Sequence, residues 1–73
     1  MNEVVAWAKK NAQISHESDT MIVGRYNERR FRIFLDKWKP EDSWAGVIQT
    51  GGMWSAARAC YNLDEFLEAV CST

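Results

Sequence analysis

The one histidine of this 73-residue chain, His16, stands between Ser15 and Glu17 with Ser18 and Asp19 beside it, so the letters of a Ser/His/Asp hydrolase lie side by side. Adjacent letters do not make that site. A triad brings its nucleophile, base and orienting carboxylate from separate segments onto an oxyanion hole and a pocket. The stretch Ser15 to Asp19 reads instead as a solvated polar linker. Cys60 and Cys71 match no common metal-ligand spacing and are too few for a disulfide framework. Both are expected to pack as small apolar side chains. Gly51-Gly52 lacks the length and the lysine of a phosphate-binding loop and reads as a turn. Asp64, Glu65 and Glu68 suit the first turns of a helix, whose N-terminus favours negative charge. The sequence therefore predicts no catalytic residue, no cofactor and no metal site, and a protein that is not an enzyme.

Arginine carries the stronger signal. Between Thr20 and Lys39, arginines alternate with bulky apolar residues around Asn27-Glu28. A two-residue turn there pairs Tyr26 with Arg29, Gly24 with Phe31 and Ile22 with Ile33 on one face, since side chains alternate with period two. The opposite face then pairs Met21 with Phe34, Val23 with Arg32 and Arg25 with Arg30. A half-buried hairpin normally separates hydrocarbon from charge, whereas this second face holds both. Such a surface suits stacking on bases and neutralising phosphates, or anchoring a protein partner. In the simplest alternative, the arginines lie over apolar neighbours with their heads in water. The net charge of −1 weighs against nucleic acid held by overall charge and favours a protein partner, with a nucleic-acid module as the second reading. The expected protein-binding residues are Arg25, Arg30, Arg32 and Phe34, joined by Val4, Val5 and Trp7 of a first helix with more apolar surface than so small a domain easily buries.

These residues need elements to hold them. Asn2 is placed to cap a helix over residues 3 to 13, with Val4, Val5, Ala8 and Ala12 at helical spacing. Strands follow at Thr20 to Tyr26 and Arg29 to Trp38, the second ended by Pro40. Ser43 to Thr50 alternates as a third strand. Residues 53 to 61 fit a fourth strand, with Trp54 opposite Gln49 and Ala56 opposite Val47, or the start of one long final helix. The Asn62/Glu65 capping pattern and the aromatic residues favour the strand. Leu63, Phe66, Leu67 and Val70 form the apolar stripe of a last helix. The expected fold is α+β, a small antiparallel sheet of two hairpins with an N-terminal and a C-terminal helix, in one domain over residues 1–73. Hydrophobic residues at 47 % and charged residues at 26 % fit a globular chain, and four tryptophans exceed what its core needs. Residues 25 to 39 hold six basic and two acidic groups, a local +4, while the tail from Asn62 holds three acidic groups, a local −3. Neither a signal peptide nor a membrane span is evident, and a cytoplasmic monomer is expected.

In size, aromatic content, small antiparallel sheet and charged faces, the chain resembles the small host-takeover proteins that bacteriophages make to inhibit bacterial RNA polymerase. The resemblance implies binding to the large β and β′ subunits in the host bacterial cytoplasm. It also implies interference with the promoter-specificity σ factor, and an antitermination role. It assigns no role to a numbered residue, because no motif matches position by position. One departure stands out: some of those proteins dock through a strongly acidic face, and this hairpin is basic.

Overall fold

In the computed structural model, residues 1–48 and 57–71 are described. Helix α1 (Asn2–Asn11) leads into strands β1 (Gln13–Glu17), β2 (Met21–Tyr26), β3 (Arg29–Phe34), β4 (Trp44–Ile48) and β5 (Ala57–Cys60), and helix α2 (Leu63–Cys71) follows. The fold is α+β, and its strands lie in chain order as an antiparallel meander. Sequential pairing of this kind keeps every connection local. Val4 and Ala8 from α1 and Phe66, Ala69 and Val70 from α2 share one core with Ile22, Phe31, Ile33, Ala45, Val47 and Cys60 of the sheet. Both helices therefore cover the same face. Edge-to-face rings tie them to it: Trp7 meets Tyr26 at 4.7 Å and Phe66 at 5.7 Å, and Phe31 meets Phe66 at 5.1 Å.

The first helix differs from expectation at both ends. Asn2 is its first residue rather than its cap; Met1 is the cap, and its carbonyl accepts from the Val4 and Val5 amides. The helix stops at Asn11 because the chain turns at once into β1, where a polar linker was expected. Gln13 faces Arg25 and Ile14 faces Gly24; after a bulge, His16 faces Val23 and Glu17 faces Ile22. Ile14 is the only large apolar side chain of this strand. Edge strands form through backbone pairing without a continuous apolar stripe, so composition alone conceals them. Local contacts help hold it: Lys9 Nζ lies 2.6 Å from Glu17 Oε2, and Ser18 Oγ accepts from the Thr20 and Met21 amides.

The β2–β3 register is the one read from the sequence, from Met21 opposite Phe34 to Tyr26 opposite Arg29. Asn27 and Glu28 both have positive φ, 54° and 65°, as the tight right-twisting hairpin turn requires. Asn tolerates that conformation, and its Nδ2 also donates to the Val70 carbonyl at 3.2 Å, fastening the turn to α2. The second strand ends at Phe34, short of the expected Trp38. Asp36 diverts the chain, since its Oδ1 accepts from the Trp38 and Lys39 amides, both at 2.9 Å. Its own amide donates to the buried Ser43 Oγ. Pro40 then opens a short 3-10 turn, Pro40–Asp42, instead of terminating a strand.

Residues 57–60 are strand, as favoured over a long final helix. Val47 pairs with Arg58, however, not with Ala56. That register differs by two residues, so the inward and outward sets keep their faces. Trp54 and the Gly51-Gly52 turn lie outside the described residues. The start of α2 follows the sequence pattern: Asn62 Oδ1 accepts from the Glu65 amide at 2.9 Å, and Glu65 Oε1 accepts from the Tyr61 amide at 3.1 Å.

Candidate protein-binding face

Alternation assigns the remaining side chains of the central strands. Ile22, Phe31, Ile33, Ala45 and Val47 point toward the helices, so Met21, Val23 and Arg25, then Arg30, Arg32 and Phe34, then Trp44, Gly46 and Ile48, belong to the opposite face. Neither helix reaches it. Met21, Phe34 and Trp44 form one row across three strands. The Phe34 and Trp44 rings stack with centroids 4.6 Å apart at 23°. Trp44 leans along its strand over Gly46, where a Cβ would sit 3.4 Å from the indole Cζ3. The glycine makes room for the indole.

Among the described residues, two open depressions lie on this face. One, of about 500 Å³, is lined by Met21, Phe34, Trp44, Trp38, Asp36 and Asp42 among others. Trp38 is 92 % exposed, although its backbone is pinned by Asp36, and Trp44 is 37 % exposed. The other, of about 400 Å³, collects Arg25, Arg30 and Arg32 around Val23, Ser15 and Gln13. There the Arg25 guanidinium donates to Gln13 Oε1 at 3.2 Å. The charged residues that line the aromatic depression are Asp36, Asp42 and Lys37. Lys37 Nζ is already matched by Asp19 Oδ2 at 3.2 Å. The face thus gathers arginines toward the β2–β3 turn and aromatic rings with charges of both signs at the opposite end.

Arg25, Arg30, Arg32 and Phe34 come together here, Arg25 and Arg30 exposed and the other two half-buried. The α1 residues stand apart from these. Val4 is sealed in the core, and Val5 and Trp7 pack against it. They lie on the far side of the sheet from the arginines, so one flat partner surface cannot touch both groups. Sequence reasoning missed Trp44 and Trp38. Extending the hairpin register one strand further would have found Trp44; the sign of Trp38 was the Asp36 turn just before Pro40, hidden by reading a strand through it.

The groups that could do covalent chemistry are dispersed. His16 is exposed on β1 rather than in a linker. Cys60 is buried as expected, and burial pushes its thiol pKa up, with Arg58 opposing the shift and Glu65 and Glu68 adding to it. Its Sγ–H lies 3.6 Å from the Arg58 and Glu65 carbonyls. Cys71 is exposed, contrary to expectation, because it ends α2 off the apolar stripe. Among the described residues no cluster of three His, Cys, Asp or Glu could hold a metal ion, and no helix is long and apolar enough to cross a membrane.

The chain matches no protein-family description, no curated protein and no solved structure.

Proposed function

We propose that this protein acts by stoichiometric binding through its helix-free sheet face, as a phage-type regulator that engages the β and β′ subunits of bacterial RNA polymerase and inhibits transcription initiation. The observation that carries the binding reading is the juxtaposition of the Phe34–Trp44 stack and the exposed Trp38 with Arg25, Arg30 and Arg32 on the sheet face opposite the two helices. Tryptophan and arginine are the residue types that most often anchor protein interfaces. The choice of partner rests on the whole-domain resemblance to phage inhibitors. On this reading the protein occupies a polymerase surface and so blocks engagement of σ factor or promoter DNA. The work is done by occupancy, so activity follows stoichiometry.

A promoter-dependent transcription assay with purified bacterial RNA polymerase tests this. Protein added before σ engages should inhibit more strongly than protein added after a stable open complex forms, because a competitor acts only while its docking surface is accessible. Equal inhibition in both orders, or complete inhibition far below one protein per polymerase, would sink the mechanism. Nucleic-acid binding by the same arginines and aromatics is the second reading, favoured by the stacked ring pair. A polymerase pull-down that disappears on nuclease treatment would select it.

A further inference from the structure

The turn of the basic hairpin is strained, and it is tied to the far end of the chain. Asn27 and Glu28 lie at φ 54° and 65°, in the left-handed region that asparagine tolerates and glutamate adopts at a cost. Across 43 residues of chain, Asn27 Nδ2 donates to the Val70 carbonyl at 3.2 Å in a part-buried bond. That carbonyl belongs to the last turn of α2, where helix carbonyls have no partner within the helix. The helix has little local support at this end. It is nine residues long, too short to stand alone. Its last turn holds no basic residue, and Glu68 sets a negative charge at the negative end of the helix. Phe66, Ala69 and Val70 seat the body of α2 in the core, and Asn27 supplies a donor that the sequence of its last turn does not.

From this we infer that Asn27 is a latch through which the last turn of α2 and the β2–β3 turn open and close as one unit. With α2 seated, the Val70 carbonyl holds Asn27 in its positive-φ place and Glu28 stays strained beside it. When the helix end lifts, it loses its donor, and the turn loses the contact that offsets its strain. Each segment therefore stabilises the other, and the coupling is reciprocal. Arg25 and Arg30 pair next to the Tyr26–Arg29 pair that closes this turn, so the latch bears on how firmly the arginine end of the hairpin is held. Segments that open together below the global unfolding free energy are those from which conformational switches are drawn. The helix layer on one side of the sheet thus controls the rigidity of the turn that presents arginines on the other. The inference concerns the free protein and holds for any partner those arginines take.

Native-state hydrogen exchange of the full chain, followed by NMR, tests it. In the wild type, the Arg29 amide and the amides of Ala69, Val70 and Cys71 should share one protection factor to within about tenfold, below that of the β4 amides. Asn27→Asp keeps a side chain that tolerates positive φ but has no donor and sets a carboxylate against the helix end. It should lower protection at both places at least about tenfold. Asn27→Gly separates the latch from the turn, because glycine suits this backbone better than asparagine. The last turn of α2 should nevertheless lose protection about threefold with the bond. Glu28→Gly is the converse. Among the described residues no hydrogen bond or ion pair joins Glu28 to α2, yet relief of its strain should raise protection of the α2 last turn together with that of Arg29 about threefold. An α2 last turn as well protected in Asn27→Gly as in wild type overturns the inference. So does an α2 indifferent to Glu28→Gly while Arg29 slows, or a wild-type protection that differs between the two places by more than about tenfold. Should Asn27→Asp fail to fold, the wild-type pattern and Glu28→Gly decide. No polymerase enters these measurements, so their failure and a failure of the polymerase reading are separate results.

Discussion

Replacing Trp38 by alanine separates a side chain that holds the fold from one that meets a partner. Tryptophan buries up to about 250 Å² when fully enclosed. At 92 % exposure the free protein hides only about 20 Å² of that, roughly 0.5 kcal/mol at about 25 cal/mol per Å². The surrounding loop owes its shape to the Asp36 carboxylate and the backbone amides of residues 38 and 39, which alanine retains. Urea unfolding of Trp38→Ala should therefore give a stability within about 0.5 kcal/mol of wild type. A partner that enclosed the indole would remove about 230 Å² from water, a ceiling near 6 kcal/mol. Ordering and desolvation reduce this, and anchors of this type commonly cost about 2 kcal/mol or more on truncation. Affinity for purified bacterial RNA polymerase, measured by calorimetry, should fall by at least about thirtyfold. A variant that unfolds easily would show that Trp38 is structural. One that is stable and binds as before would remove the aromatic depression from the interface.

Other outcomes follow from the packing. A Cβ at Gly24 would meet Phe31 Cζ at 2.8 Å and the Gln13 carbonyl oxygen at 2.9 Å. Gly24→Ala should thus destabilise by about 1–3 kcal/mol, whereas Gly46→Ala, whose nearest described neighbours stand at 3.4 and 3.7 Å, should change much less in the same urea titration. Asn62→Ala removes the α2 cap and should cost about 1 kcal/mol; Asn62→Asp, which keeps an acceptor at that position, should restore most of it. In native protein one thiol, Cys71, should react rapidly with a disulfide reagent, and the second should react only on unfolding, because Cys60 is buried. The Cys60 thiol has a folded-state pKa raised above 9.0. Its contribution is complete below the unfolded value and is lost as pH rises past it, when the unfolded chain sheds its proton first. Stability should decline above about pH 9 more steeply in wild type than in Cys60→Ala; parallel curves would dissociate Cys60 from that decline.

The β2–β3 hairpin was legible in the sequence because a two-residue turn and period-two alternation leave one register, and that register placed Arg25, Arg30, Arg32 and Phe34 together. The α2 start was legible for a similar reason: Asn62 and Glu65 act on amides within four residues. Local hydrogen bonds and alternation are written in adjacent letters. Other features depended on distant partners. Gln13 to Glu17 becomes a strand because β2 offers an unpaired edge, and no property of those five residues demands it. Val4 leaves the surface because Phe66, Ala69 and Val70 arrive from the other end of the chain to enclose it. The tryptophan end of the candidate face likewise formed only when β4 set Trp44 against Phe34 and Asp36 turned Trp38 outward beside them. Which side of the sheet the helices cover was decided in the tertiary structure, since either face of the hairpin alone could have received them.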